Sequence, residues 1–179
     1  MSTAALSSSV VSLAPAAPMH TISILVRNKP GVLVRVALVF SRRGYNIESL
    51  VVSADVANGQ LSRMTITCSG DPETLEQIIK QLTKLIDVVH AFDHTGQATI
   101  ETEIALVKLR CKIDQRTEIL QITEQYAAKV VDYGPEALVV RVFGVSEKID
   151  AFLMLLQPFN VVELVRSGKI IMARGLSQT

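Results

Sequence analysis

The order of strand-like and helix-like segments restricts the fold most strongly, because the same order occurs twice along the chain. Segments that alternate apolar and polar residues and are rich in β-branched side chains predict strands. Segments with apolar residues three and four positions apart predict helices. In the first half these are a strand at 20–27, a helix ending at Gly44, strands at 46–54 and 60–69 around a turn at Asn58-Gly59, a helix starting at Asp71-Pro72 and a strand at 88–92. The predicted order is βαββαβ.

The second half repeats this order after a polar joint at residues 94–99. Its predicted elements are a strand at 102–111, a helix capped by Asp114, strands at 129–132 and 137–143, a helix capped by Ser146, and strands at 161–166 and 169–173. The sequence therefore predicts an α+β protein of two tandem ferredoxin-like βαββαβ units. We expect one domain at residues 20–95 and a second at residues 100–175.

Composition limits the classes of partner. Hydrophobic residues make up 49% of the chain and aromatic residues only 4%, so the predicted cores are aliphatic. A formal net charge of +1 argues against a general nucleic-acid binder, which normally has an excess of basic residues. The sequence contains no apolar run near the roughly eighteen residues that span a bilayer. We therefore expect neither nucleic acid nor membrane as a partner.

Residues 1–19 are rich in Ala, Ser and Pro and contain no charged residue. They lack the basic segment of a secretory signal and the arginines of a mitochondrial transit peptide. This composition predicts a disordered N-terminal extension on a cytoplasmic protein, with an organellar address as the minor alternative. Met19, directly before the first strand, could be the natural start.

The residue types that most often act in catalysis or bind metals are not clustered in this sequence. Cys68 and Cys111 lie in predicted strands without CxxC spacing, which indicates buried free thiols. His90 and His94 are four residues apart but flank a strand, so we predict no metal site. Common motifs of hydrolases, metalloproteases, nucleotide-binding loops and dinucleotide-binding folds are absent from the sequence. The sequence therefore predicts no catalytic residue.

The loop between the first strand and the first helix is the candidate site. It consists of Asn28, Lys29, Pro30, Gly31, Val32 and Leu33. Gly31 allows a ligand to approach the backbone closely, and the N–H groups at a helix N-terminus favour an anion. Asn28 carries both a hydrogen-bond donor and an acceptor, and Asn46 could supply a second such amide. The loop can thus bind the carboxylate and ammonium of one amino acid; a turn present for geometry alone is the alternative.

The sequence NKPGVL at 28–33, between a strand and a helix, resembles the ligand loop of ACT domains, which bind amino acids to regulate metabolic enzymes. Longer stretches resemble the small regulatory subunit of acetohydroxyacid synthase, also called acetolactate synthase. These are FSRRGYNIESL (40–50), LSRMTI (61–66), LEQIIKQLTKLIDV (75–88), EIALVKL (103–109) and VELVRSGKIIMARG (162–175). The resemblance extends from residue 20 to about residue 175.

This resemblance implies a non-catalytic subunit in the biosynthesis of valine, leucine and isoleucine. Such a subunit activates the catalytic subunit and confers feedback inhibition by valine, which binds between paired ACT domains. The matching positions are Asn28 and Gly31 of one chain with Asn46 and Ile47 of its partner. Lys29-Pro30 replaces acidic or small residues that are common in the family.

The resemblance also implies the partners and cofactors. The chain would form a homodimer or a higher homo-oligomer and bind the catalytic subunit. Thiamine diphosphate, magnesium and FAD would belong to that catalytic subunit, with no cofactor in this chain. The arginines between Arg35 and Arg43 have two interpretations of equal weight, a solvated helix face or a contact with the catalytic subunit.

Four other functions predict different features in this sequence. An ACT-domain sensor that acts on a different metabolic enzyme is the main alternative. An RNA-binding module would need aromatic residues on the strand segments 21–27 and 62–68, which contain none. A transcription factor would need a helix-turn-helix, for which no segment remains. An enzyme would need clustered nucleophiles, bases or metal ligands, and the sequence does not predict such a cluster.

Overall fold

The computed structural model of this protein describes residues 18–54, 59–176 and 179. Most of the predicted N-terminal extension, and Asn58 of the predicted turn, lie outside these residues. In the described part the elements are β1 (Met19–Arg27), α1 (Val32–Arg42), β2 (Asn46–Ala54), β3 (Leu61–Ser69), α2 (Pro72–Leu82), β4 (Val88–Asp93), β5 (Thr99–Arg110), α3 (Arg116–Gln125), β6 (Lys129–Tyr133), β7 (Ala137–Gly144), α4 (Ser146–Leu156), β8 (Asn160–Arg166) and β9 (Ile170–Ala173). The prediction of two α+β units with βαββαβ order is confirmed.

The first unit is a four-stranded antiparallel sheet in the order β2-β3-β1-β4. Alternate residues of β1 and β3 pack against the two helices, because side chains on a strand point to opposite faces in turn. The fully buried side chains of this core include Ile22, Ile24, Phe40, Ile66, Ile78 and Leu82. Strand β2 lies at one edge of the sheet, so its outer side has no cross-strand partner among the described residues.

The second unit has a sheet in the order β6-β7-β5-β8. Its core is also mainly aliphatic and includes Val107, Leu109, Leu138, Val140, Ile149 and Phe152. Strand β5 is long enough to pair with different strands along its two halves. Its first residues, Thr99–Thr102, pair with β9, and the rest pairs with β7 and β8. The last strand therefore folds back onto the start of the second unit.

The predicted helix start at Asp71 is confirmed, and the predicted caps at Asp114 and Ser146 are wrong. The carboxylate of Asp71 accepts a hydrogen bond from the backbone N–H of Thr74 at 2.9 Å, as an N-cap should. Asp114 instead lies inside a 3₁₀ turn at Ile113–Gln115 and makes no capping bond to α3. Ser146 is the first residue of α4, and its hydroxyl donates to the buried carboxylate of Glu103. Val145 has an extended backbone and is the N-cap, so Ser146 is already helical and its oxygen does not cap the first turn.

The two units meet on the face of the first sheet that is turned away from its helices. This face is polar but largely buried, with Thr21, Ser23, Thr65 and Thr67 each less than a tenth exposed. The turn between β8 and β9 places Gly168 directly against Ser49 of β2. A cleft of about 480 Å³ beside this contact is lined by residues of both units, including Glu48, Glu103 and Arg166.

Candidate functional site

The loop predicted from the sequence joins β1 to α1 and has the backbone of an anion site. Gly31 is exposed and adopts a left-handed conformation (φ +80°), which glycine occupies at little cost. Gly31 is also the N-cap of α1, and no side chain caps this helix. The first turn contains no acidic residue. The N–H groups of the first turn therefore lack an anionic partner within the described residues and favour a bound carboxylate.

Asn28 is held in one orientation by the loop that precedes β3. Its side-chain Nδ2 donates to the carbonyl oxygen of Gly59 at 3.0 Å, and its backbone N–H donates to Gln60 at 2.7 Å. A carbonyl oxygen can only accept, so the nitrogen of the Asn28 amide must face Gly59. The amide oxygen Oδ1 is then the atom that a ligand can use. The sequence left both roles open for the Asn28 amide, whereas in the structure its nitrogen is bound to Gly59 and its oxygen can act as an acceptor for a ligand.

The other loop residues contribute in different ways. Lys29 and Pro30 are exposed, whereas the side chain of Val32 is buried in the core of the first unit, so only its backbone can reach a ligand. Leu33 is 42% exposed and its neighbour Val34 is 62% exposed. These two side chains form an apolar surface beside the loop, suited to an aliphatic side chain or to a second chain.

Two arginines of the predicted basic run are already bound within the chain. The guanidinium of Arg35 pairs with the buried carboxylate of Asp87, directly before β4. The guanidinium of Arg43 donates to the side chain of Gln77 on α2. Both contacts fix α1 against the rest of the first unit, which is a structural role for these arginines.

Asn46 and Ile47 lie at the other end of α1. They line a groove of about 450 Å³ together with Ala37, Phe40, Ser41, Gly44 and Tyr45. Asn46 is exposed, whereas Ile47 is half-buried against the core. The hydroxyl of Tyr45 donates to the carbonyl oxygen of Asp71, and burial raises the pKa of this phenol above its ordinary value.

The two groups of predicted site residues do not meet within one chain. Helix α1 separates them and has 11 residues. At 1.5 Å per residue such a helix is about 16 Å long, much more than the size of an amino acid. The loop Asn28–Leu33 lies at its N-terminal end and Asn46 at its C-terminal end. Asn46 also starts β2, the edge strand. A single site containing both groups therefore requires a second chain.

Sequence reasoning missed two residues that fix Asn46. Its Nδ2 donates to Oε1 of Glu48 at 2.9 Å, and the hydroxyl of Ser69 donates to the same oxygen at 3.0 Å. These two hydrogen bonds, the one from Asn46 first, lower the pKa of Glu48 below its ordinary value. The available signal was the spacing of Asn46 and Glu48, two residues apart on a predicted strand and hence on one face.

The cysteines and histidines are placed away from this loop. Cys68 and Cys111 are buried free thiols, and burial raises the pKa of Cys68 to about 11. His94 is buried, and its Nε2 lies 2.7 Å from the hydroxyl oxygen of Ser23. Among the described residues, no group of three His, Cys, Asp or Glu side chains could hold a metal ion. In the same part of the chain, every helix is too short or too polar to cross a membrane.

Tandem βαββαβ units, with a glycine at the N-terminus of the first helix, define this chain as an ACT-domain protein. The sequence pattern described as "AHAS small subunit-like ACT domain" matches residues 22–90, and "Small subunit of acetolactate synthase" matches residues 102–175. The chain belongs to the family of acetolactate synthase small subunits.

Two relatives agree with this assignment. The chain is 49% identical over 157 residues to the "Probable acetolactate synthase small subunit" of Methanothermobacter thermautotrophicus, which covers 87% of this chain and 93% of that protein. It is 43% identical over 158 residues to the acetolactate synthase small subunit of Mycobacterium leprae, covering 88% and 93% of the two chains.

A solved structure has the same fold over nearly the whole chain. The crystal structure of the acetolactate synthase small subunit from Thermotoga maritima superposes with a TM-score of 0.79 at 38% identity. The superposition covers 89% of this chain and 99% of that one. Family membership and the ACT domain together support a regulatory, non-catalytic role for this chain.

Proposed function

We propose that this chain activates the catalytic subunit of an acetolactate synthase and makes it sensitive to feedback inhibition by valine. The observation that carries this proposal is the division of the candidate site. Loop Asn28–Leu33 offers an uncapped helix N-terminus at one end of α1, and Asn46 lies at the other end. Two copies of the chain, paired near the edge strand β2, would bring one group from each chain together.

The groups on the two chains complement the three parts of valine. The N–H groups of the first turn of α1 and the backbone at Gly31 would bind the carboxylate. Amide oxygens of Asn28 and of Asn46 from the second copy would accept hydrogen bonds from the ammonium. The second copy's Ile47 would contact the aliphatic side chain, whose burial contributes about 1.5–3 kcal/mol. One methylene more or less changes binding by about 1–3 kcal/mol, so leucine and isoleucine should also bind, with affinities that differ from that of valine.

Homo-oligomer formation has support from two surfaces. Strand β2 leaves one edge of the first sheet available for pairing. The second sheet exposes apolar side chains on the face turned away from its helices, among them Ile104, Leu106, Phe143 and Val165, each at least 40% exposed. Monomeric proteins rarely expose contiguous apolar surface of this kind. We therefore assign this chain to a homodimer or a higher homo-oligomer that binds the catalytic subunit.

The remaining assignments follow from this role. Thiamine diphosphate, magnesium and FAD would be bound by the catalytic subunit, where acetolactate forms, and this chain would carry no cofactor. Residues 20–95 would form the effector-binding domain and residues 100–175 the second domain. We place the assembly in the cytoplasm.

A reconstitution assay tests this function. The catalytic subunit is assayed alone, with the full chain added, and with the chain plus valine; the chain is also assayed by itself. We expect addition of the chain to raise the rate of acetolactate formation and valine to lower the raised rate. A rate unaffected by the chain would contradict the proposal, and so would acetolactate formation by the chain alone.

A further inference from the structure

The side chain of Glu48 lies on the bulge of β2, beside the proposed effector site. Ile47 pairs with Cys68 and Ser49 with Thr67, so Glu48 is an extra residue without a cross-strand partner. Bulges of this kind redirect one side chain and are common next to functional sites. Here the redirected carboxylate receives hydrogen bonds from Asn46 and from Ser69 through a single oxygen, Oε1.

We propose that Glu48 is a positioning residue that holds the Asn46 amide with its oxygen toward the effector, making the site selective for 2-amino acids over 2-hydroxy and 2-oxo acids. This inference rests on the proposed function and deepens it. A carboxylate can only accept hydrogen bonds, so the Asn46 nitrogen must face Glu48. The hydroxyl of Ser69 fixes the carboxylate in turn.

The same polarity occurs at Asn28, which lies in the other group of site residues. Its nitrogen is bound to the carbonyl oxygen of Gly59, so its amide oxygen is the available atom. In a site between two chains, both asparagines would present acceptors only. An ammonium carries three donors, a hydroxyl one and a ketone none. Among acids with the same carbon skeleton, the 2-amino acid should therefore bind most tightly, the 2-hydroxy acid less tightly and the 2-oxo acid least tightly.

A purely structural role for Glu48 makes a different prediction. If Glu48 only secured the exposed end of β2, its removal would weaken the binding of amino acid and hydroxy acid by the same factor. If Glu48 orients Asn46, its removal lets the amide rotate and present nitrogen or oxygen to either ligand. The ratio of the two affinities therefore separates positioning from general stabilisation.

The test is calorimetric titration of the full chain with valine and with 2-hydroxy-3-methylbutanoate. The variants are Glu48→Ala, Glu48→Gln and the matched control Glu163→Ala, which removes an exposed strand glutamate bonded to Lys108 in the second unit. We expect Glu48→Ala to weaken valine binding about tenfold, because the Asn46 amide is no longer held with its oxygen toward the ammonium and the hydrogen bond to that charged group is weakened. The ratio of the affinity for valine to the affinity for the hydroxy acid should fall by a similar factor. Glu48→Gln keeps an acceptor and should stay within about threefold of the parent.

The possible results distinguish this inference from the function on which it rests. A parent chain that binds no valine would overturn both. Binding by the parent chain with an unchanged preference in Glu48→Ala would overturn the role of Glu48 alone, as would a change of the same size in Glu163→Ala. Thermal unfolding of each variant shows that the compared proteins are folded at the titration temperature.

Discussion

Gly168 and Ser49 touch across the junction of the two units. A Cβ atom built on Gly168 would lie 2.7 Å from both Cβ and Oγ of Ser49, closer than real Cβ atoms approach. Gly168 also has a left-handed backbone (φ +79°). The turn between β8 and β9 can rest on β2 only because residue 168 has no side chain.

We therefore expect Gly168→Ala to destabilise the protein by about 2–4 kcal/mol. About 1–2 kcal/mol of this arises from alanine in the left-handed region and the rest from the clash with Ser49. Gly175→Ala is the matched control, because Gly175 has φ +71° and no atom within 4 Å of the added Cβ. It should show only the backbone cost in urea unfolding.

Ser49→Gly in the Gly168→Ala background tests the contact itself. It removes the atoms that the new methyl group meets, so the double variant should recover part of the loss. The coupling free energy from the four proteins measures the contact without the backbone cost. A coupling near zero would show that the two units do not press together at this point.

The carboxylate of Glu103 is buried and depends on Arg166. It is 3% exposed, receives a hydrogen bond from Ser146 and pairs with the Arg166 guanidinium, which also contacts Asp150 at 2.7 Å. Removing one partner leaves a buried charge uncompensated, which costs about 3–5 kcal/mol in well-buried pairs. Arg166 is 31% exposed, so we expect Arg166→Met to cost about 3 kcal/mol in urea unfolding.

Glu103→Gln in the same background is the informative second variant. A neutral amide does not need a charged partner, so Glu103→Gln combined with Arg166→Met should be more stable than Arg166→Met alone. If the double variant were instead less stable than either single variant, packing around residue 166 would matter more than charge. The pair joins β5, β8 and α4, so this measurement reports on the second unit.

The sequence predicted the fold of the first unit better than the chemistry of its site. Apolar spacing identified the helix faces that carry Phe40 and Ile78, because burial of those faces is the main constraint on the segments. The loop at Gly31 was recognisable because NKPGVL resembles the ligand loop of ACT domains; Pro30-Gly31 taken alone predicts a turn. The left-handed backbone of Gly31 fits both a turn and a ligand loop.

Interactions between distant segments could not be predicted in this way. The bond from Asn28 to Gly59 joins residues 31 positions apart, and the contact between Ser49 and Gly168 joins two units. Periodicity carries no information about such pairs. The two wrong caps have a local cause, since α3 starts at Arg116 after a 3₁₀ turn and α4 starts at Ser146 itself, one or two residues from the predicted starts.

Stability should depend on pH through His94. Burial, and to a smaller extent the charge of Arg63, lowers the pKa of His94 below 6.5, against opposing effects of Gln97 and Asp93. Well above pH 6.5 the imidazole is neutral in the folded and in the unfolded chain, so the protonation of His94 does not reduce the free energy of unfolding there. As the pH falls below 6.5 the unfolded chain takes up a proton first, and the free energy of unfolding decreases until the folded pKa is passed.

The measurement is urea unfolding of the parent chain and of His94→Gln between about pH 7.5 and about pH 5.5, roughly one unit on either side of the ordinary histidine pKa. The parent should lose stability toward acid, and the contribution of His94 to this slope should lie below the one-proton limit of about 1.4 kcal/mol per pH unit. Glutamine can still contact Ser23 but does not titrate, so this part of the slope should be absent. Identical slopes would assign the pH dependence to other groups.

Gly31→Asp should abolish most of the response to valine. The new carboxylate would lie where the effector's own carboxylate is proposed to bind, and the two charges repel. A Cβ at this position would be 3.5 Å from Nη1 of Arg35, an ordinary contact, so the fold has room for it. We expect at least about a tenfold loss of valine affinity, which corresponds to 1.4 kcal/mol or more.

Gly31→Asn is the control that separates charge from backbone strain. Asparagine has the same shape as aspartate and tolerates the left-handed region as well, so it isolates the effect of the negative charge. The Gly31→Asn variant should retain most of the affinity for valine. Gly96→Asp adds the same charge at another exposed left-handed glycine with open space around it, and should leave valine binding unchanged. Equal losses in Gly31→Asp and Gly31→Asn would indicate strain in the turn, and no loss in either would place the effector elsewhere.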